Sequence, residues 1–160
     1  MLFRSVTPAN ATRIIARLGL ADSCDGFDLA NGCVGFLSAL DVAARCLATG
    51  MGPIAIVDVE LLHRVIAPTD PRPFMIFGDA AVAVIVDRGE PHAGVLASWL
   101  RTDGVAGGDV HLHHPLATRE VAGVYFTTSG KRMGEDAVGY MRRAADVVLE
   151  RAGLDRKSVV

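Results

Sequence analysis

Between Phe27 and Val59 the chain is punctuated in a way that only a covered sheet can use. Phe27 and Leu29 alternate with polar positions, so 27–31 reads as a half-buried strand. Gly32 and Gly35 then flank Cys33, where the backbone is free to turn sharply. From Val34 to Thr49 Leu, Ala and Val recur at nearly every turn without a proline, which predicts a buried helix over 33–49 closed by Gly50. Gly52-Pro53 ends the turn, and Ile54 to Val59 reads as a second buried strand. Strand, elbow, helix and strand in that order argue for the α/β class, with the sheet covered by helices.

The rest of the chain extends this alternation. Pro8 to Leu18 predicts a helix that starts on proline and stops at Gly19. Residues 61–73 hold Pro68, Pro71 and Pro73 and read as a loop, followed by strands at Met75–Phe77 and Ala81–Val86 around a Gly-Asp turn. Gly94–Leu100 reads as a strand, 102–122 as irregular, and Val124–Thr127 as a short strand. Lys131 to Ala152 predicts an amphipathic helix stopped by Gly153. With 160 residues, 51% of them hydrophobic, and a net charge of −2, there is enough apolar material for a sizeable core. No apolar run reaches the roughly 18 residues of a membrane span, no basic block invites nucleic acid, and Met1–Ser5 has no signal-peptide character.

Cys33 is the residue with the clearest chemical setting. A side chain at the start of a helix meets unsatisfied N–H groups and the positive end of the dipole. Both favour the thiolate, the reactive form of cysteine. The plainer alternative is a small buried apolar residue, the usual place of a free thiol. Cys24 and Cys46 have no comparable setting, and three cysteines without a disulfide-like framework fit a reducing compartment. His111, His113 and His114 suggest a metal, but structural zinc takes four ligands, and Asp109 is the only acid nearby before Glu120. The expectation is therefore a polar loop and no metal. Arg142 and Arg143 read as a solvated helix face, and Leu61, Leu62, Met75 and Phe77 as core or pocket lining.

From Phe27 to Asp79 the chain resembles the active-site half of the ketoacyl-ACP synthase III family, within the thiolase-like superfamily. The resemblance rests on Asp28, Cys33-x-Gly35-Phe36, a long helix ending in glycine, Glu60-Leu61-Leu62, Asp70 with Arg72, and Phe77-Gly78-Asp79. Thr102-Asp103-Gly104 and Phe126-Thr127-Thr128-Ser129-Gly130 follow in the family's order. It implies a thiolase-like α/β fold, represented by the late first half and early second half of a two-fold α/β/α/β/α layered architecture. Residues 6–90 would be the remainder of the first half and 91–154 the start of the second.

The same resemblance implies a two-stage reaction. Cys33 accepts an acyl group from acyl-CoA, and malonyl carried on acyl carrier protein then loses carbon dioxide and condenses with it. Arg72 would stand on the side where the CoA nucleotide enters, and Thr128 and Gly130 near the pantetheine tunnel. No metal or redox cofactor is implied, and relatives suggest a cytoplasmic homodimer. A simple acyltransferase, a head-to-head acyl-CoA condensing enzyme and a non-catalytic partner subunit remain open. Ala80 and Val82 stand where the family has glycines of its Gly-Asp-Gly-Ala-Gly loop, which crowds a backbone that passes close to the active centre. The family's His and Asn have no counterparts here, since His63, His92, His111, His113 and His114 fall at other positions. The His would lie just beyond Leu154, so this stretch alone is not expected to condense anything.

The two ends carry a different signal. Leu2-Phe3-Arg4-Ser5 can be written CTC TTC CGA TCT and Asp155-Arg156-Lys157-Ser158 GAT CGG AAG AGC, near reverse complements that resemble a sequencing-library adapter. The expectation is that residues 1–5 and 155–160 are not native and that the gene was cut at both ends.

Overall fold

The structure, a computed structural model, describes residues 9–66, 71–90, 93–113 and 125–159. Its elements alternate in the expected α/β manner: α1 (Asn10–Arg17), α2 (Gly35–Ala48), β1 (Ile54–Leu61), α3 (Pro71–Ile76), β2 (Asp79–Val86), β3 (Val110–His113), β4 (Tyr125–Thr128) and α4 (Gly130–Ala152). Short 3-10 turns lie at Gly32–Val34, Leu62–Arg64, Val105–Gly108 and Arg156–Val159. The chain divides into two compact units. One holds the residues up to Val59 with Ala81–Arg88, and the other holds Glu60–Ala80 with Gly89–Val160. No helix among the described residues is long and apolar enough to cross a membrane.

In the first unit, α2 carries Ala43 and Leu47 one turn apart, and both are buried, as is Ile56 of β1. The i, i+4 spacing puts the two α2 residues on one stripe. β1 pairs with β2 in a two-stranded sheet. Gly52 has a left-handed φ of 128°, and a Cβ built there would lie 2.4 Å from Leu47 Cδ2. A side chain at Gly52 would therefore be strained by the backbone conformation and would also push the Leu47 methyl aside.

All three long helices end the same way. At Gly19, Gly50 and Gly153 φ is +70°, +99° and +68°, and the N–H of the following residue reaches the carbonyl five residues back: Leu20 to Ile15, Met51 to Cys46, Leu154 to Leu149. This Schellman arrangement satisfies carbonyls that a helix end leaves open, and only glycine enters it without steric cost.

In the second unit β3 and β4 are antiparallel, with Val110 opposite Thr128 and His113 opposite Tyr125. α4 buries none of its residues. It is tied instead by polar contacts: Tyr140 Oη donates to Asp103 Oδ2 at 2.6 Å, Arg132 Nε lies 3.2 Å from Asp109, and Arg151 donates to the Ser98 carbonyl at 2.8 Å. The guanidiniums of Arg101 and Arg143 lie 5.3 and 5.9 Å from the centre of the Trp99 ring.

Several expectations are corrected. Residues 27–31 form no strand, and Phe27 is 64% exposed. Gly94–Leu100 forms none either. Alternation makes a strand only where a neighbour supplies a ladder, and neither segment belongs to the two sheets. Met75–Phe77 is not a strand: α3 covers Pro71–Ile76, with Pro71 and Pro73 in its first turn, where no N–H is required of them. The helix after Cys33 begins at Gly35 rather than at residue 33, because a 3-10 turn takes up Gly32–Val34. Part of the stretch read as irregular is β3. Pro8, Pro68, Asp70, His92, His114, Pro115, Glu120 and Val124 lie outside the described residues.

Candidate functional site

The Cys33 elbow is built from a left-handed glycine, a 3-10 turn and an uncapped helix. Gly32 has φ +50°, and open space surrounds the position a Cβ would take, so glycine is needed there for conformation rather than for room. Val34 N–H donates to the Asn31 carbonyl at 3.3 Å, closing the turn that carries the thiol. Val34 is the N-cap of α2, where no side chain caps the helix and the first turn holds no acid. The first N–H groups of α2 thus have no side-chain acceptor, and the helix presents its positive end beside the thiol. Cys33 is exposed, as is Cys24, and Cys46 is half-buried. Cys33 is therefore not the small buried residue of the plainer alternative.

Two polar ties frame the elbow. Upstream, the Asp28 carboxylate accepts from Asn10 N–H at 2.7 Å, Asn10 Nδ2 at 2.8 Å and Ala11 N–H at 2.8 Å, capping α1 from a distant part of the chain. Desolvation pushes the Asp28 carboxyl up, but these donors outweigh it and hold the group below the ordinary carboxylate value. Downstream, Asn31 Nδ2 donates to Ser38 Oγ at 2.8 Å.

The other expected site residues lie in the second unit. Arg72 is the second residue of α3 rather than part of a loop. Thr128 ends β4, is exposed, and its hydroxyl lies 3.0 Å from Met133 Sδ. Gly130 opens α4, whose N-cap Ser129 makes no side-chain cap bond. Open space surrounds Gly130. Ala80 and Val82 both lie on β2 and are exposed.

One pair escaped the sequence reading. His63, in the 3-10 turn after β1, gives its backbone N–H to Asp79 Oδ1 at 3.0 Å, and its Nδ1 meets Asp79 Oδ2. The backbone bond is the main reason the Asp79 carboxyl lies below its ordinary value, with help from the imidazole and Arg64. The two residues are far apart in sequence and form no motif, so only the Gly78-Asp79 turn pointed toward this place. His111 and His113 lie on β3, not in a loop. Among the described residues no three His, Cys, Asp or Glu side chains gather as metal ligands.

A model of the 3-oxoacyl-(acyl-carrier-protein) synthase III family matches residues 27–104, the stretch that carries the elbow. Residues 27–104 thus belong to the ketoacyl-ACP synthase III-like family. The β-ketoacyl-acyl-carrier-protein synthase III of Yersinia enterocolitica is 32% identical to this chain over 153 residues, covering 95% of this chain and 47% of that protein. A synthase III of Streptomyces coelicolor is 35% identical over 156 residues, covering 91% and 46%. The crystal structure of 3-oxoacyl-acyl-carrier-protein synthase III from Aquifex aeolicus superposes with a TM-score of 0.84 at 26% identity, covering 94% of this chain and 46% of that one. The thiolase-like α/β fold expected from the sequence is thereby established. The chain spans about half the length of the curated relatives it matches.

Proposed function

We propose that the full protein is a 3-oxoacyl-ACP synthase III-type condensing enzyme, an acyltransferase with Cys33 as its nucleophile. The observation that carries this reading is an exposed thiol on a glycine-turned step beside an uncapped helix start, in a stretch of this family. In the first stage the Cys33 thiolate attacks the carbonyl carbon of an acyl-CoA. The tetrahedral intermediate collapses with release of the CoA thiolate and leaves an acyl-cysteine. The Cys33 backbone N–H is the natural donor to the oxyanion. In the second stage malonyl-ACP loses carbon dioxide, and the resulting enolate carbon attacks the acyl-cysteine. The sulfur leaves as thiolate, and 3-oxoacyl-ACP is released.

Arg72, Thr128 and Gly130 are assigned to the CoA and pantetheine side of this reaction. An arginine suits a nucleotide because its planar fork pairs with phosphate and stacks on a base. Both acyl carriers are substrates, and no metal or redox cofactor is required by these steps. The partner is acyl carrier protein, the assembly a homodimer, the compartment cytoplasmic, and the product feeds fatty acid or polyketide synthesis.

Ala80 and Val82 favour a second reading. Side chains in place of the family's glycines suit an enzyme that stops after acyl transfer, or one that joins two acyl-CoAs head to head. Incubation of the full-length protein with radiolabelled acyl-CoA tests the shared first stage. Label retained on denatured protein and lost in Cys33→Ala is the expected result; equal label in both overturns it. Adding malonyl-ACP then separates the readings, since only the condensing enzyme releases 3-oxoacyl-ACP and carbon dioxide.

A further inference from the structure

We propose that the hydrogen bond from Asn31 to Ser38 is a brace that fixes the Cys33 elbow, making both residues positioning residues for the thiol. The inference rests on the reading of Cys33 as nucleophile. Asn31 precedes the 3-10 turn, and Ser38 lies one turn into α2, so their bond closes a ring of backbone that contains Cys33. Ser38 is the one buried polar side chain among the described residues, only 8% exposed. A serine inside a helix commonly turns its hydroxyl back to the carbonyl of the preceding turn or faces water. Here its Oγ accepts a side-chain amide at 2.8 Å instead.

The elbow needs such a brace because its own backbone does little to hold it. Gly32, in the left-handed region, is of the residue type with most conformational freedom, and open space surrounds the position a Cβ would take. The 3-10 turn has no side-chain cap, and neither has α2. With the bond in place, Gly32 and Cys33 are confined between a fixed Asn31 and a fixed Ser38. The thiol then stays beside the open N–H groups that favour its reactive form. Without the bond, the same residues sample orientations in which that help is lost.

The test is site-resolved alkylation of the chain by iodoacetamide, read by mass spectrometry as the ratio of the Cys33 rate to the Cys24 rate. Cys24 is exposed on a separate loop and serves as the internal reference. Asn31→Ala and Ser38→Ala are expected to lower this ratio about fivefold, the factor that one neutral hydrogen bond of ~1 kcal/mol supplies. Ser38→Thr keeps the hydroxyl and is expected to restore the ratio. Unchanged ratios in both alanine variants overturn the brace, as does a Ser38→Thr ratio as low as that of Ser38→Ala, which would mean that packing alone matters. Should Ser38→Ala fail to fold, Asn31→Ala decides, because that side chain is exposed. A wild-type Cys33 no faster than Cys24 overturns the nucleophile reading itself and the brace with it. A fast wild-type Cys33 whose rate ignores both variants overturns the brace alone.

Discussion

The two units are held together by different means. In the first, Leu47, Ala43 and Ile56 form a small apolar core, a distant carboxylate caps α1, and an amide-hydroxyl bond spans the elbow. In the second, α4 has no buried residue and is tied by Asp103, Asp109, Asp146 and a tryptophan ring that two guanidiniums approach. Apolar burial and neutral hydrogen bonds respond weakly to salt, whereas exposed charge pairs are screened by it. The unit that carries Cys33 thus leans on apolar burial and neutral hydrogen bonds, with the Asp28 cap and the Asp41–Arg45 pair as its charged exceptions, and the second unit leans on charge pairs, with the buried Ile66 as its apolar exception.

The largest expected effect tests the apolar half of this contrast. Leu47→Ala removes a buried side chain that packs between α2 and the Gly52 turn. It is expected to destabilise the first unit by about 2–5 kcal/mol, the range for such truncations in cores. Hydrogen exchange read by mass spectrometry should show faster exchange in α2 and β1 peptides with α4 peptides unchanged. Equal acceleration in both units would break the comparison, because it would mean that they unfold as one.

The helix stops come next. Gly50→Ala meets no atom within 4 Å but must hold a φ of +99°, and the left-handed conformation costs a residue with Cβ roughly 1–2 kcal/mol. Gly153→Ala meets the same open space at φ +68° and should cost its own helix a similar amount. The melting transition of each variant, followed by exchange in the adjoining helix, checks both. If one stop tolerates alanine and the other does not, the helix ends are not equivalent and the first-unit turn carries more than its cap.

These stops are also where the sequence was most legible. Gly19, Gly50 and Gly153 end their helices as expected because a left-handed stop depends on one residue and its immediate neighbours. β1, β2, β4 and α4 were readable for the same reason, each carrying a strong local pattern. The strands expected at 27–31 and 94–100 failed because strand formation is decided by a partner elsewhere in the chain. Pro71 and Pro73 were read as loop residues, although the first turn of a helix accommodates both. In the site, the Cys33 elbow was visible from its glycines, while Asn31–Ser38 and His63–Asp79 were not. Those pairs depend on where side chains point after folding, and no spacing rule encodes that.

A smaller effect concerns Asp28. Its carboxyl is held below the ordinary value, so the capping stabilisation is present above the pKa of the unfolded chain and fades as pH falls through the lower folded value. Asp28→Asn should cost about 0.3–1 kcal/mol at neutral pH, the worth of a negative charge at a helix N-terminus, and nothing in acid well below both values. Urea titrations of both proteins from neutral to acid pH should therefore converge. A gap that stays constant with pH would assign the effect to shape rather than charge.

The smallest effect tests the charged half of the contrast directly. Arg132→Ala removes the ion pair with Asp109, which is half-exposed on the arginine side, and exposed pairs are worth about 0.2–1 kcal/mol. Salt should mimic the substitution. Between low ionic strength and about 1 M, where the screening length falls to roughly 3 Å, exchange in the first turns of α4 should rise in the wild-type chain and change little in Arg132→Ala. Exchange in α2 should respond less in both, because Ala43 and Leu47 hold that helix by burial and its Asp41–Arg45 pair adds only a surface contribution. The two outcomes are linked through Thr128 and Gly130, which sit where β4 passes into α4. If salt loosens that junction while the elbow stays firm, acyl-CoA affinity of the full protein should fall with salt while alkylation of Cys33 stays constant. A parallel loss of both would mean that the elbow shares the electrostatic dependence of the second unit, and the contrast between them would no longer hold.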